Sequence, residues 1–465
     1  MQQSINPTTG TLVAEFALHN DADVERALAE AAAAQRDWRR VPISTRMTLL
    51  TAMARELRAD KERFARIITE EIGKPIVESR AEIEKCAATC DFYAEKAPEY
   101  LADELVASNA TESSVVFDPL GVVLAIMPWN YPFWQFFRFA APALAAGNGA
   151  ILKHAANVPR SAVAIEETMR KAGCPEGLFR ALLVDSSKVA GMIADDRIAA
   201  VTLTGSTQVG QTVAAQSGKA LKKQVLELGG SDPFIVLPGA DLAQAAQVAV
   251  KARFINVGQS CVNAKRFIVA EEIAEEFTAL FRAGIEALKI GDPMEEDTQI
   301  GPMARMNLRA ELHDQVQRSI AEGAQLALGG AMLDGPGCYY APTLLDRVTP
   351  AHTSFREELF GPVASVIRCA DAEEAVGLAN DTEFGLGASV WTSDLDLARQ
   401  MARQIDAGAV FINGMVASDA RLPFGGIKKS GYGRELGSYG IREFTNIKTV
   451  WIGPAVAPQT TKAPE

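Results

Sequence analysis

Gly121-Val122-Val123-Leu124-Ala125-Ile126-Met127-Pro128-Trp129-Asn130-Tyr131-Pro132 opens with an unbroken apolar run and closes with an asparagine bracketed by two prolines. The run is far shorter than the ~20 residues a membrane span needs. It lacks the apolar–polar alternation of a strand with one wet face, so it reads as a strand covered on both sides. The same pattern then recurs. A helical stretch runs to Ala146 and stops at Gly147-Asn148-Gly149, and a strand follows over residues 150–153. Pro159 opens a helix ending at Gly173, and residues 181–184, 200–204 and 224–228 are further apolar strands separated by helices. A second series starts with residues 233–237 and continues through 267–269, 364–367, 388–391 and 410–413. Such alternation of buried strand and helix builds a parallel, doubly wound sheet. Two are expected here, the first ending near residue 230. Upstream, the first hundred residues read as helices, one over residues 21–35 and one long amphipathic stretch over 44–96.

At 465 residues, 48% hydrophobic and 22% charged, the chain has the make-up of an ordinary globular protein with two or three domains. Its net charge of −12 speaks against nucleic-acid binding, which draws its affinity from basic groups on phosphates. The start Met1-Gln2-Gln3-Ser4-Ile5-Asn6-Pro7 has neither the basic residues nor the apolar core of a secretory leader. Six cysteines in so long a chain do not make a disulfide framework. Cys86 and Cys90 stand four apart on a helix with no second pair, which favours packing over a metal site. No metal and no membrane are expected, and a reducing cytoplasm is the expected setting. Residues 454–465 read as a frayed end.

Four short runs carry chemistry. In Asn256-Val257-Gly258-Gln259-Ser260-Cys261 a cysteine lies among small and polar residues between a helix and a strand, where its sulfur can sit at an open turn. Most free cysteines are simply packed, so context must decide. Leu226-Glu227-Leu228-Gly229-Gly230 puts a carboxylate at the carboxyl end of a strand, where open α/β sheets bind ligands. Apolar surroundings would raise its pKa toward the range of a general base, although an edge residue or salt-bridge partner fits equally. Asn130, held between prolines, is a fixed amide donor or part of a plain turn. Leu203-Thr204-Gly205-Ser206-Thr207-Gln208-Val209-Gly210 is a strand, a glycine–hydroxyl turn and a helix start. That suits a pyrophosphate, and Ser206 serves equally as an N-cap.

In this order and spacing the runs resemble the aldehyde dehydrogenase family over nearly the whole chain. Further matching runs are Lys153, Glu358-Leu359-Phe360-Gly361-Pro362-Val363, Pro423-Phe424-Gly425-Gly426 and Gly431-Tyr432-Gly433-Arg434-Glu435. The resemblance implies an α/β fold of two Rossmann-like doubly wound domains plus a small β element for oligomerisation. Residues 1–112 and 121–230 would bind NAD(P), 231–432 would be catalytic, and 113–120 with 433–453 would join subunits, the runs 113–118 and 443–451 pairing across a homodimer or homotetramer. It implies Cys261 as the nucleophile that carries the acyl group as a thioester. Asn130 and the Cys261 N–H would hold the oxyanion, and Glu227 would activate the hydrolytic water. Cofactor contacts would come from Trp129, Lys153, Ala156, Gly205, Ser206, Leu228, Glu358 and Phe360, with Phe360 beside the nicotinamide and Lys153 and Glu358 on the two riboses.

Ala156 stands where many NAD-specific members carry a glutamate that repels a 2′-phosphate, so NAD or NADP is expected. His154, two residues earlier, could assist NADP but reads more readily as a solvated surface residue. Val184-Asp185-Ser186-Ser187 replaces a common glycine-rich turn, and no adenine-side contacts are carried over to it. For the substrate, Arg138 amid Trp134-Gln135-Phe136-Phe137-Arg138-Phe139 is expensive to bury unless it meets an anion. Here the chain is similar to the short bacterial succinate-semialdehyde dehydrogenases, with Ser418 and, more weakly, Arg421 as further carboxylate ligands. Ile255 occupies the place of a second arginine found in other enzymes of that activity, with Arg253 or Lys265 as substitutes. Alternatives are a broad aliphatic or amino-aldehyde dehydrogenase, a CoA-acylating member, and a catalytically silent protein on this fold.

Overall fold

The computed structural model describes residues 1–453, so the expected frayed end lies outside the described residues. The opening run forms the strand Val122–Met127, all six residues buried. It pairs in parallel with Gly149–His154 on one side and Ile198–Thr204 on the other. Phe179–Ala181 and Lys223–Glu227 extend the sheet outward on the two sides. The chain thus leaves the central strand one way, then returns to the centre and leaves the other way. That reversal opens a crevice beyond Met127 and Thr204, the customary ligand site of such sheets.

A sixth strand, Gly431–Tyr432, closes the edge antiparallel to Lys223–Glu227, with Gly431 opposite Glu227. These two residues, expected in the second unit, therefore complete the first sheet. The second sheet has seven strands in the order Gln325–Leu328, Thr343–Asp346, Val363–Cys369, Ala264–Ala270, Asp232–Val236, Gly387–Trp391, Ala409–Ile412. All neighbours run parallel except the first pair. Between the sheets the chain crosses directly from Glu227 to Asp232. The carboxyl edge of the first sheet so leads into the opening edge of the second, and the site forms there.

The helix Trp134–Ala145 has every residue buried, as expected of a helix apolar on all sides; it carries Arg138 into the interior. Three expectations need correction. The amino terminus is a hairpin, Gln2–Ile5 against Leu12–Phe16, rather than purely helical. Its turn is closed by Asn6, whose side chain accepts from the Thr8 N–H at 2.8 Å and whose carbonyl accepts from Gly10. The stretch 44–96 is three helices, Ile43–Ala59, Lys61–Ile72 and Ile76–Tyr100. Gly73, at φ 77°, ends the second as a left-handed cap, and Pro75 starts the third. The strand expected at 181–184 sits earlier because Leu183 bonds back to His19 instead.

Glu112–Pro119 pairs antiparallel with Thr445–Ile452 through eight residue pairs, and Glu104–Leu105 adds a third strand. The two runs expected to pair across subunits thus pair with each other within one chain. Among the described residues the far edge of Thr445–Ile452 has no partner, and seven of its eight residues are exposed. Among the described residues no helix is long and apolar enough to cross a membrane. The six cysteines are free, with Cys86 and Cys90 packed in the core.

Candidate active site

Asn256 and Val257 both adopt left-handed backbone, at φ 53° and 55°, and Gly258 follows at 72°. A Cβ on Gly258 would lie 2.3 Å from the Gly361 carbonyl oxygen, so only glycine fits. Strained non-glycine residues cost on the order of 1–3 kcal/mol each and persist where neighbours hold them. Here Glu78 accepts from the Asn256 N–H at 2.7 Å. The Asn256 side chain donates to the carbonyls of Asn130 (2.9 Å) and Gln259 (3.0 Å). Asn130 in turn donates from Nδ2 to the Gln259 carbonyl at 3.1 Å. The turn before Cys261 and the loop after Met127 are thereby tied together, with Asn130 held to Gln259, two residues before Cys261.

Cys261 is half-buried and faces a cavity of about 200 Å³, whose wall includes Lys85, Trp134, Arg138, Ser418 and Phe424. Burial pushes its thiol up to about 12, opposed by the charges of Lys265 and Arg138. Lys265 is fully buried and donates to the carbonyls of Ser260 (2.8 Å) and Cys261 (2.7 Å). Its ammonium lies 3.3 Å from Glu358. It fixes backbone and does not replace a substrate arginine. Nor does Arg253, which is buried and donates to the carbonyls of Val363 (2.6 Å), Leu359 (2.8 Å) and Gly361.

Glu227 ends its strand fully enclosed, and neither carboxylate oxygen has a hydrogen-bond partner among the described residues. Burial, then the neighbouring Glu435 carboxylate, holds its pKa well above the ordinary value, against the pull of Arg138 and Arg434. Gly425 leaves room for it: a Cβ there would sit 2.7 Å from Glu227 Oε1. Arg138 lies at the junction of the two regions. Its Nε pairs with buried Glu435, and one Nη donates to Thr204 at 3.3 Å. Its guanidinium stacks 4.8 Å above the Phe424 ring. Glu435 was visible in the sequence only as the end of a matching motif. Ser418 lies in the cavity wall and accepts from Lys85 Nζ at 2.7 Å. Arg421 does not join it: it is exposed and held by Asp419, because a short loop lets the two side chains close on each other.

On the cofactor side, Lys153 sits near the end of Gly149–His154, half-buried, with its pKa lowered by burial. No hydrogen bond engages its ammonium among the described residues. Ala156 is exposed just beyond it. His154 is not a surface residue. It is buried, its Nε2 meets the Pro132 carbonyl at 2.9 Å, and its Nδ1 accepts from Ala155. Burial drops its pKa to about 4, so it stays neutral and offers nothing to a 2′-phosphate. Ser206 caps the helix Thr207–Lys219, and a Cβ on Gly205 beside it would meet only Leu203, at 3.9 Å. Leu228 is buried against Gly210, where a Cβ would meet its methyl groups at 2.5 Å. Glu358 accepts from the Gly230 N–H at 3.1 Å, and Phe360 meets Trp129 edge-on at 5.8 Å. An unengaged lysine, an open helix start and a carboxylate on one edge fit a dinucleotide's riboses and pyrophosphate. Among the described residues no cluster of metal-ligating side chains occurs.

Residues 1–450 match the Aldehyde dehydrogenase family. The chain belongs to that family. It is 52% identical to the NAD(P)+ succinate semialdehyde dehydrogenase Sad of Escherichia coli strain K12, over 96% of this chain and 97% of that one. It is 51% identical to a probable NADP+ succinate-semialdehyde dehydrogenase of a Synechocystis strain, over 97% and 99%. The crystal structure of succinic semialdehyde dehydrogenase from Streptococcus pyogenes with NADP+ superposes at a TM-score of 0.96 and 36% identity, covering 98% of this aldehyde dehydrogenase and 100% of that chain.

Proposed function

We propose that this aldehyde dehydrogenase oxidises succinic semialdehyde to succinate with NAD or NADP. One observation carries the substrate: Arg138 and Ser418 stand in the wall of the same cavity as the Cys261 thiol. Anion-binding donors and a nucleophile in the wall of one cavity suit a short aldehyde that also carries a carboxylate. Residues 1–112 and 121–230 would hold the cofactor, 231–432 the nucleophile, and 113–120 with 433–453 the subunit contact.

In this reading Cys261 Sγ adds to the aldehyde carbon. One amide hydrogen of Asn130 is engaged by Gln259, which sets the plane of the amide. The other is free to meet the oxyanion together with the Cys261 N–H. Lys153, Glu358 and the turn at Gly205-Ser206 would hold the cofactor, with Trp129, Ala156, Leu228 and Phe360 around it. The nicotinamide ring, when bound, supplies a positive charge near the thiol and an acceptor for the departing hydride. The acyl group then remains on Cys261 as a thioester. Glu227 takes a proton from the water that releases it. Its lack of hydrogen bonds means that swinging toward the thioester breaks none.

The test is kcat/KM for succinic semialdehyde against butanal, with each cofactor in turn. A charge-assisted carboxylate contact predicts a preference of roughly 10- to 100-fold for the semialdehyde. Equal use of butanal, or better use of 4-aminobutanal, would overturn the assignment. The protein is further expected to work as a homodimer or homotetramer, because the exposed outer edge of Thr445–Ile452 is a strand edge seeking a partner. Light scattering giving the mass of one chain would rule this out.

A further inference from the structure

The cavity beside Cys261 has a second cation that the sequence reading overlooked. Glu78, Ala81, Glu82 and Lys85 occupy one face of the helix Ile76–Tyr100 at helical spacing, and all four line the cavity. The Lys85 ammonium lies 4.3 Å over the Trp134 ring and donates to Ser418 Oγ. No carboxylate pairs with it among the described residues. Glu82 is committed to Lys74 and to the N–H groups of Phe133 and Trp134. Glu78 holds the Asn256 N–H, and Asp419 is closed on Arg421. Ile255, also in the wall, offers no charge. Lys85 so stands without a carboxylate partner in the same wall as Arg138, whose own charge is paired with Glu435. Burial beside a like charge disfavours the Lys85 ammonium until an anion enters. Because Ser418 accepts from Lys85, its own hydrogen is free to donate into the cavity.

We propose that Lys85 is a specificity-determining residue of this enzyme: with Ser418 and Arg138 it binds the carboxylate of the substrate. This rests on the succinic semialdehyde reading and deepens it. Burial, then the charge of Arg138, lowers the Lys85 pKa to about 8, with Cys86, Glu82 and Asp419 acting in the other direction. The ammonium therefore loses its proton as the pH rises through that value, and grip on a carboxylate falls with it.

The experiment measures the ratio of kcat/KM for succinic semialdehyde to that for butanal in wild type, K85M and K85R. K85M is expected to lower the ratio roughly 10- to 100-fold, mainly through KM for the semialdehyde, and K85R to restore most of it. In wild type, KM for the semialdehyde should climb above pH 8 while KM for butanal does not. An unchanged ratio in folded K85M overturns the assignment. Should K85M fail to fold, a KM for the semialdehyde that stays flat above pH 8 in wild type overturns it instead. Wild type showing no preference for the semialdehyde would defeat the functional reading. A wild-type preference that survives K85M defeats only the role of Lys85.

Discussion

Replacing Cys261 by alanine is expected to lower kcat/KM by roughly four orders of magnitude or more, whatever aldehyde is offered. Removing a nucleophile eliminates the covalent route and leaves only binding and oxyanion stabilisation, a loss of about that size in enzymes that depend on one. The effect should be chemical and not structural. Cys261 is half-buried at a cavity wall, and its turn is held by Glu78, Asn256, Asn263 and Lys265 rather than by its own side chain. Thermal unfolding of C261A should therefore fall within about 1 kcal/mol of wild type. A variant that keeps more than about a hundredth of the wild-type rate would show that another group carries the acyl chain.

Glu227→Gln should separate the two halves of the reaction. The variant is expected to release one equivalent of reduced cofactor per site in a burst. Its steady-state rate should then lie roughly 10²- to 10⁴-fold below wild type, the usual contribution of a positioned base. The acyl group should accumulate on Cys261, where mass spectrometry of the quenched enzyme would find it. In wild type the sign of the pH dependence follows from the raised Glu227 pKa. The protonated carboxyl is inert as a base. Hydrolysis speeds up as the pH climbs through its pKa, and this rise should be missing in E227Q. Normal turnover by E227Q would remove Glu227 from the mechanism.

The parts of the fold legible in the sequence were those with continuous apolar runs. Strands of a parallel sheet are buried on both faces and announce themselves residue by residue, as Val122–Met127 and Asp232–Val236 do. The hairpin Gln2–Ile5 with Leu12–Phe16 was missed because its strands are short, the first mostly polar and the second without a buried residue. Of the site, the motif residues Cys261, Asn130 and Glu227 could be named in advance, since each sits at a strand end or turn within a recognisable run. Lys85 could not. On the helix Ile76–Tyr100 a lysine among glutamates reads as a solvated face. Only the folded chain brings Ser418 to it across 333 residues of sequence. His154 was misjudged for the same reason, its neighbourhood being set by Pro132 on another loop.

The strand bearing Glu227 is flanked on its outer side by Gly431–Tyr432, which are made only after the whole second sheet has been synthesised. Until then the backbone N–H and C=O groups along that border have no partner. A nascent chain can form the core of the first sheet early, but the segment holding its future base lacks its outer neighbour until Gly431–Tyr432 arrive. Maturation of the catalytic centre is for that reason tied to a contact of very long sequence separation, which makes it one of the slow steps of folding.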